Sequence, residues 1–161
     1  MRYGRVAFLV AVLLLLCHVP TRGNAKHRAA HRRLDQTQFR SLLETVSRGW
    51  NSNDARLAAE CFTEDAIYSA PPDSRVRRGR RELFDFFGGE KGRDQPMHME
   101  WHHLMFDEKE QIGAGEYTFT YQIRTHGVAV VRIVDGRIAN WREYEQQSAL
   151  DWDKFIEDNR F

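Results

Sequence analysis

The chain has 161 residues, of which 42% are hydrophobic and 29% are charged, which fits one soluble globular domain. Seven of its 24 Lys and Arg lie in residues 1–33, which contain no acid, so residues 34–161 carry 17 basic and 23 acidic side chains. The body of the protein therefore has a net charge of 17 − 23 = −6, which excludes a general nucleic-acid-binding surface.

The first residues are typical of a targeting segment. Arg2 and Arg5 precede an uninterrupted apolar run over residues 6–17. Gly23 and Ala25 are small residues at the two positions that a signal peptidase reads. The apolar run is shorter than the roughly 20 residues that a membrane span needs, so we expect no stable membrane anchor.

These features predict a signal peptide over residues 1–25 and a secreted or periplasmic protein. The alternative is a misassigned start codon upstream of a cytoplasmic protein. Residues 26–34 are basic and have no apolar face, so they are predicted to form a disordered lead.

Helical periodicity begins after this lead. Asp35 and Gln38 form a capping-box pattern, which predicts a helix with apolar residues at Phe39, Leu42, Leu43, Val46 and Trp50. Asp54 is placed to cap a second helix, with apolar positions at Leu57, Ala58, Cys61 and Phe62. A third helix is predicted from about Arg80 to Phe87, where a Gly-Gly pair ends it.

The strands are concentrated in the second half of the chain. A short strand at residues 66–68 lies between the second and third helices, and two prolines stop it. Turn residues then separate four longer strands, at residues 97–106, 112–123, 128–134 and 137–147. A short capped segment with Trp152 and Phe155 closes the chain.

This order of elements predicts an α+β fold. A long sheet twists and curls, so three N-terminal helices are expected to pack in the concavity of a strongly curved, mainly antiparallel sheet. The result is a cone-shaped half barrel, and the space between helices and sheet is a pocket.

Three segments resemble a known family. Residues 52–54 (SND) and 62–68 (FTEDAIY) resemble the junction between helix and first strand in SnoaL-like proteins of the nuclear-transport-factor-2-like superfamily. Residues 135–144 (DGRIANWREY) are similar to the closing hairpin of limonene-epoxide-hydrolase-type members. The resemblance implies a SnoaL-like domain over residues 35–157 that forms a homodimer and holds a small hydrophobic ligand.

The catalytic residues of the epoxide-hydrolysing relatives are only partly present. The resemblance implies an acid at Glu143 and a water-holding tyrosine at Tyr68, but the expected asparagine corresponds to Ala70. The Arg and Asp of a middle strand are missing as well. Their places are occupied either by Glu116 and Thr118 or by Tyr117 and Phe119.

The set found in ketosteroid-isomerase-type relatives is also incomplete. Their general base corresponds to Ala70 and their oxyanion tyrosine to Val46. Neither side chain carries a group that exchanges protons, so neither known activity is transferred to this chain.

Glu143 is the strongest candidate for chemistry. It alternates with Trp141 and Glu145 on one face of the last strand, so a carboxyl beside a large ring is expected. In a pocket, desolvation would raise its pKa and prepare it for general acid–base work; an ion pair on a solvated face is the alternative. Tyr68 is expected either to hydrogen-bond inside the cavity or to place its hydroxyl in water.

His98, Glu100 and His102 share one strand face, but they are too few for a metal site without further ligands. No metal and no cofactor is therefore predicted. His102 is instead expected to reach the cavity as an acid or base partner of Glu143.

The pocket lining is predicted to include Trp50, Trp141, Glu116 and Phe84. The arginines at residues 75–81 have no interleaved aromatic residue and are interpreted as a solvated charge run, not a nucleic-acid site.

Three functions are compatible with these features. The first is a cofactor-free lyase, isomerase or hydrolase acting on a small hydrophobic, cyclic molecule through Glu143. The second is a binding module whose pocket holds such a molecule without turnover. The third is a homodimeric assembly module whose cone is filled by its own side chains. One fold hosts many functions, so the sequence leaves open whether the protein is an enzyme.

Overall fold

The computed structural model describes residues 32–70 and 76–160. Within them the fold is α+β, with one six-stranded sheet and four α-helices. The helices are α1 (Gln36–Asn51), α2 (Ala55–Ala59), α3 (Gly79–Phe86) and α4 (Trp152–Phe155). The strands are β1 (Phe62–Ser69), β2 (Arg77–Arg78), β3 (His98–Asp107), β4 (Ile112–Tyr121), β5 (Ile123–Val134) and β6 (Arg137–Gln147).

Helix α1 begins as its sequence predicts. The Asp35 side chain accepts a hydrogen bond from the Gln38 backbone, and the Gln38 side chain accepts one from the Asp35 backbone. This reciprocal capping satisfies two backbone donors that the first turn of a helix otherwise leaves without partners.

The folded domain includes Leu34, which the sequence assigned to a disordered lead. Leu34 is 5% exposed, and its backbone exchanges hydrogen bonds of 2.8 and 2.9 Å with the Gln111 side chain in the turn between β3 and β4. Leu34 therefore belongs to the folded domain and not to the predicted lead, because its side chain adds apolar surface to the core. Residues 26–31 and the predicted signal peptide at residues 1–25 lie outside the described residues.

The second helix is shorter than its periodicity suggests. It ends at Ala59, and Phe62 already belongs to β1. Phe62 is fully buried in the sheet, because a five-residue helix followed by a turn brings the chain back to the core edge. Strand β5 is longer than predicted, since the turn before it falls at Gln122, which has a positive φ of 66°.

The sheet order is β2-β1-β6-β5-β4-β3. All neighbouring strands are antiparallel except β1 and β6, which run parallel. Register shifts interrupt the β1–β6, β3–β4 and β5–β6 pairs. Bulges of this kind bend strands and increase twist, which accounts for the curvature of the sheet.

One face of this sheet carries the hydrophobic core. Helix α1 packs on β3 and α3 packs on β1. Buried residues of α1 meet the inward side chains of β3 to β6, among them Met99, Tyr117, Val131 and Trp141. In the described part of the chain, no helix is long and apolar enough to cross a membrane.

Candidate functional site

A cavity of about 240 Å³ lies within this core. Its apolar lining comes from α1, the residue after β1, the end of α3 with the residue after it, β4, and β3 with the residue before it: Trp50, Ala70, Phe86, Phe87, Met97, Met99 and Phe119. Its polar lining consists of Tyr68, Arg77, Tyr117, Glu143 and Glu145. A small pocket with mostly apolar walls and a few convergent polar groups is typical of a small-molecule site.

The carboxyl of Glu143 is the polar centre of the cavity. It is 8% exposed, and three side chains donate hydrogen bonds to it. The Tyr68 hydroxyl donates to Oε1 at 2.5 Å. Trp141 Nε1 donates to Oε2 at 2.8 Å, and the Tyr117 hydroxyl donates to the same oxygen at 3.4 Å. A buried carboxylate is therefore held in one orientation by three neutral donors.

Burial raises the pKa of Glu143 from 4.5 to about 7. The hydrogen bonds from Tyr68, Trp141 and Tyr117 favour the charged form and oppose this rise, whereas the charge of Glu145 adds to it. Both protonation states are thus populated near neutral pH, as required of a group that accepts and returns a proton.

The two tyrosines remain protonated donors under the same conditions. Burial raises the pKa of Tyr68 and of Tyr117 above the ordinary value of 10, and the nearby Glu143 charge adds to both shifts. Their hydroxyls therefore serve as neutral hydrogen-bond donors.

Trp141 lies behind the cavity wall, not on it. Its ring stacks on the Tyr68 ring, with centroids 5.8 Å apart and planes 9° from parallel. It also meets the Trp50 and Trp101 rings edge-on at 5.8 Å. Trp141 was predicted to line the pocket. The structure gives it a supporting position instead, with its indole N–H orienting Glu143.

Two charged residues complete the lining. Glu145 is exposed, so this part of the cavity opens to solvent, and Thr125 Oγ1 donates to its Oε2 at 2.7 Å. The Arg77 guanidinium lies 3.5 Å from the centroid of the Phe86 ring, which holds it against the wall by a cation–π contact.

His102 is not part of this cavity. Met99 and Trp101 of β3 point into the core, as does Met97 just before the strand, so His102 points to the outer face. There its ring stacks on Trp152 of α4, with centroids 3.9 Å apart. The predicted partnership with Glu143 is therefore wrong.

The histidine takes part in a hydrogen-bond chain on the outer face. His102 Nε2 lies 2.7 Å from Thr118 Oγ1, and the same oxygen lies 3.0 Å from Nδ1 of His126. Desolvation under α4 lowers the pKa of His102, and the charge of Glu100 partly opposes this. His126 Nε2 in turn lies 3.0 Å from the carbonyl oxygen of Leu150, so this chain connects the sheet to the C-terminal segment.

Glu116 and Phe84 also lie outside the cavity. Glu116 precedes the inward-facing Tyr117 on β4, so strand alternation turns it to the outer face beside Val128. Phe84 of α3 contacts Arg56 instead, and the Arg56 guanidinium lies 5.2 Å from the centroid of the Phe84 ring. Phe86 and Phe87 line the cavity in its place.

Tyr117 lines the cavity, although the sequence offered it only as one of two alternatives. The middle strand allowed either Glu116 and Thr118 or Tyr117 and Phe119 at the inward positions, and the structure selects the latter pair. Gly127 lies opposite Tyr117 on β5, and a Cβ there would meet its ring and hydroxyl at 2.7 Å. A glycine facing a large residue on the next strand is a sequence signal that could have indicated this packing.

A metal site is not assembled from these residues. In residues 32–70 and 76–160, no group of three or more His, Cys, Asp and Glu side chains is arranged to hold an ion.

Known proteins are similar to this chain at the level of family and fold. A model of the SnoaL-like domain matches residues 43–141. No curated protein matches the sequence.

Solved structures share the fold at low sequence identity. A putative ketosteroid isomerase from Kribbella flavida has a TM-score of 0.58 at 20% identity, covering 71% of this chain and 82% of its own. An LEH-like epoxide hydrolase from M. tuberculosis has a TM-score of 0.58 at 17% identity, covering 68% of this chain and 84% of its own. A protein of unknown function from Burkholderia xenovorans, described as similar to nuclear transport factor 2, has a TM-score of 0.60 at 15% identity, covering 78% and 94%.

Proposed function

Because the chain belongs to the SnoaL-like domain family of the nuclear-transport-factor-2-like superfamily, we propose that it binds a small hydrophobic, cyclic molecule and transfers a proton on it without a cofactor. The cone between α1, α3 and the curved sheet is the binding pocket in this proposal. The observation that carries it is one buried carboxyl, Glu143, with a pKa near 7 inside an aromatic cavity.

The cavity walls favour an apolar ring over a flexible polar chain. Trp50, Phe86, Phe87 and Phe119 offer ring surfaces, while Met97 and Met99 supply flexible thioethers that adapt to a ligand's outline. Removing apolar surface of this kind from water supplies the affinity, and the few polar groups supply orientation.

Glu143 would act as the proton carrier. As a carboxylate it takes a proton from an activated C–H bond of the ligand, forming a carboxylic acid while the C–H electron pair moves into the ligand. Returning that proton to another atom of the ligand completes an isomerisation, or releases a leaving group in a lyase reaction. The donors Tyr68 and Trp141 keep the carboxyl in place throughout.

The names of similar structures support this class of chemistry without fixing the reaction. A putative ketosteroid isomerase and an epoxide hydrolase share the fold. At the positions that correspond to further catalytic residues of such relatives, this chain has Ala70 on the cavity wall and Val46 in the core. The reaction proposed therefore depends on Glu143 and its donors alone.

A non-catalytic binding module is the second candidate. Both oxygens of Glu143 already accept hydrogen bonds from the protein, which suits a carboxyl that only anchors aromatic side chains. An assembly module with a filled cone has less support, because a cavity of about 240 Å³ is open beside Glu143.

Glu143→Gln separates these candidates. Glutamine keeps the shape of the side chain, and its amide can accept from Trp141 while donating to the Tyr68 oxygen. The molecule retained by protein from the natural source is identified by native mass spectrometry and offered to both forms. Loss of turnover with retained binding supports the enzyme, whereas equal turnover by both forms overturns it. Retained binding without turnover by either form favours the binding module.

We further propose that a second copy of the chain covers the outer sheet face. Apolar side chains are exposed there, including Val128 (37%), Tyr144 (52%) and Met105 (56%). Val128 and Tyr144 are cross-strand neighbours in the β5–β6 register, so they form continuous apolar surface. Such a patch on a soluble protein is typical of an interface.

A further inference from the structure

Two carboxyls border the cavity. Glu143 lies inside and is 8% exposed, whereas Glu145, two residues further along β6, is exposed at the open end. Within residues 32–70 and 76–160 neither carboxyl forms an ion pair, because the groups that donate to them are neutral hydroxyls and an indole. A buried carboxylate is normally accompanied by a cation, since burial removes the water that would stabilise its charge.

The chain pairs other acids with arginines. Arg80 lies 2.5 Å from Glu64, and Arg56 lies 2.5 Å from Glu90. Of the lining residues that the structure describes, Arg77 alone is cationic. Its guanidinium lies over the Phe86 ring, 3.5 Å from the centroid. The wall therefore carries two acids against one base, and one of its rings already holds a cation.

Aromatic rings form most of the remaining wall. The rings that line the cavity are those of Trp50, Tyr68, Phe86, Phe87, Tyr117 and Phe119. Neighbouring rings in this set are inclined at 45° to 80° to one another, so they form the corners of a box and not a flat stack. The face of an aromatic ring attracts a cation, and boxes of such rings recognise alkylated ammonium groups.

The hydrogen bonds of Glu143 indicate which kind of cation fits. Its Oε1 accepts one hydrogen bond from the protein and its Oε2 accepts two. The carboxylate therefore needs an opposite charge more than a further donor. A primary ammonium would bring three N–H groups that require acceptors, which ring and thioether walls do not supply. An alkylated ammonium brings the charge with one N–H or none, and its methyl groups pack on apolar walls.

We propose that the cavity binds a cyclic compound carrying a tertiary or quaternary ammonium group, which the aromatic walls enclose and the carboxyls of Glu143 and Glu145 neutralise. This inference rests on the proposed binding function and narrows its ligand class. Glu145 is the specificity determinant at the open end, where its exposed charge attracts a cation from water. The net charge of −6 over residues 34–161 adds to that attraction.

Binding of such a cation is coupled to the ionisation of Glu143. Tyr68 from β1, Tyr117 from β4 and Glu145 from β6 face this carboxyl, and Arg77 from β2 shares its cavity. A bound ammonium favours the carboxylate, so it should lower the pKa of Glu143 from about 7. The cation should therefore bind more tightly as pH rises through that value, and this dependence should disappear in Glu143→Gln.

The test changes the charge of the ligand and keeps its shape. Phenyltrimethylammonium and tert-butylbenzene differ only in the atom that carries the three methyl groups, which is a positively charged nitrogen in the first and a carbon in the second. The affinity of each is measured by isothermal titration calorimetry. The natural protein is expected to prefer the ammonium by about tenfold.

Glu145→Gln removes the charge at the open end and keeps an acceptor for Thr125. It is expected to lose most of the preference while binding tert-butylbenzene as the natural protein does. Glu116→Gln is the matched control, because it removes an equal charge from the outer face of the sheet. This control is expected to keep the preference, and circular dichroism verifies that both variants fold.

The outcomes distinguish the two proposals. If the natural protein binds both probes equally, or if the preference survives in both Glu145→Gln and Glu143→Gln, this inference is overturned and the binding function stands. An equal fall in Glu145→Gln and Glu116→Gln assigns the effect to net charge and also overturns it. If the natural protein binds neither probe, the proposed function fails and the inference fails with it. A preference that falls in Glu145→Gln alone supports both.

Discussion

The Tyr68 hydroxyl donates a 2.5 Å hydrogen bond to Oε1 of Glu143, although the two residues are 75 positions apart in the chain. The parallel pairing of β1 with β6 explains the contact. Tyr68 lies in register with Trp141, so its ring stacks on the Trp141 ring and its hydroxyl reaches Glu143, two residues further on the same face. The candidate site is thus built by one long-range strand pair.

Ionisation of Glu143 should make the protein less stable as pH rises. Its folded pKa of about 7 exceeds the ordinary 4.5, so the stabilising contribution is full below 4.5 and is lost as pH rises through about 7. That pKa difference corresponds to about 3 kcal/mol. Denaturant unfolding across this range should show the loss in the natural protein and not in Glu143→Gln. If the free energy of unfolding depends on pH in the same way in both proteins, the raised pKa of Glu143 is contradicted.

Tyr68→Phe should raise the pKa of Glu143 above about 7. The hydroxyl favours the carboxylate, and its removal leaves burial less opposed. Carbon-detected NMR titration of the Glu143 side chain measures the shift. Tyr144→Phe, on the exposed outer face, is the control and should leave the pKa unchanged. An unchanged or lower pKa in Tyr68→Phe would show that the hydrogen bond from Tyr68 does not lower the pKa of Glu143.

His102→Ala should leave ligand affinity unchanged. The ring lies on the outer face, and its loss removes the stacking with Trp152 and the bond to Thr118. Hydrogen exchange should therefore increase in α4 and its flanking residues, while phenyltrimethylammonium affinity stays the same. A marked loss of affinity would mean that the outer face communicates with the cavity.

Ala70→Phe should block the cavity. Ala70 lies on its wall, and a phenyl group added there occupies the space that a ligand needs. Calorimetry is expected to show loss of phenyltrimethylammonium binding with a folded protein by circular dichroism. Ala70→Ser changes the volume little and should still bind phenyltrimethylammonium; binding that persists in Ala70→Phe would locate the ligand elsewhere.

Val128→Lys should dissociate the proposed dimer, because it places a charge within the apolar outer patch. Val134→Lys is a matched control: it lies on the same strand with the same 37% exposure, but beside the hairpin turn. Sedimentation velocity should give a dimer for the natural protein and for Val134→Lys, and a monomer for Val128→Lys. If the natural protein sediments as a monomer, the proposed dimer is contradicted.

Much of the fold was predictable because its signals are local. The Asp35 cap, the turn at Asp135 and Gly136, the apolar period of α1 and the apolar run at residues 128–134 of β5 each act over a few residues. The end of α2 was placed too late, since helical periodicity continued into Phe62 although that residue packs in a strand.

The sequence by itself determined the order of the longer elements, the family and the placing of an acid, Glu143, next to a large ring, but not the two-residue strand β2. Only the tertiary structure decided which strand faces turn inward. On β3 and β4 both faces contact aromatic side chains, because α4 covers part of the outer one. Alternation puts Met99 and His102 on opposite faces, but it could not say which of the two faces the cavity. The Tyr68–Glu143 bond and the aromatic walls of the cavity likewise depend on contacts between distant segments, for which no local residue pattern exists.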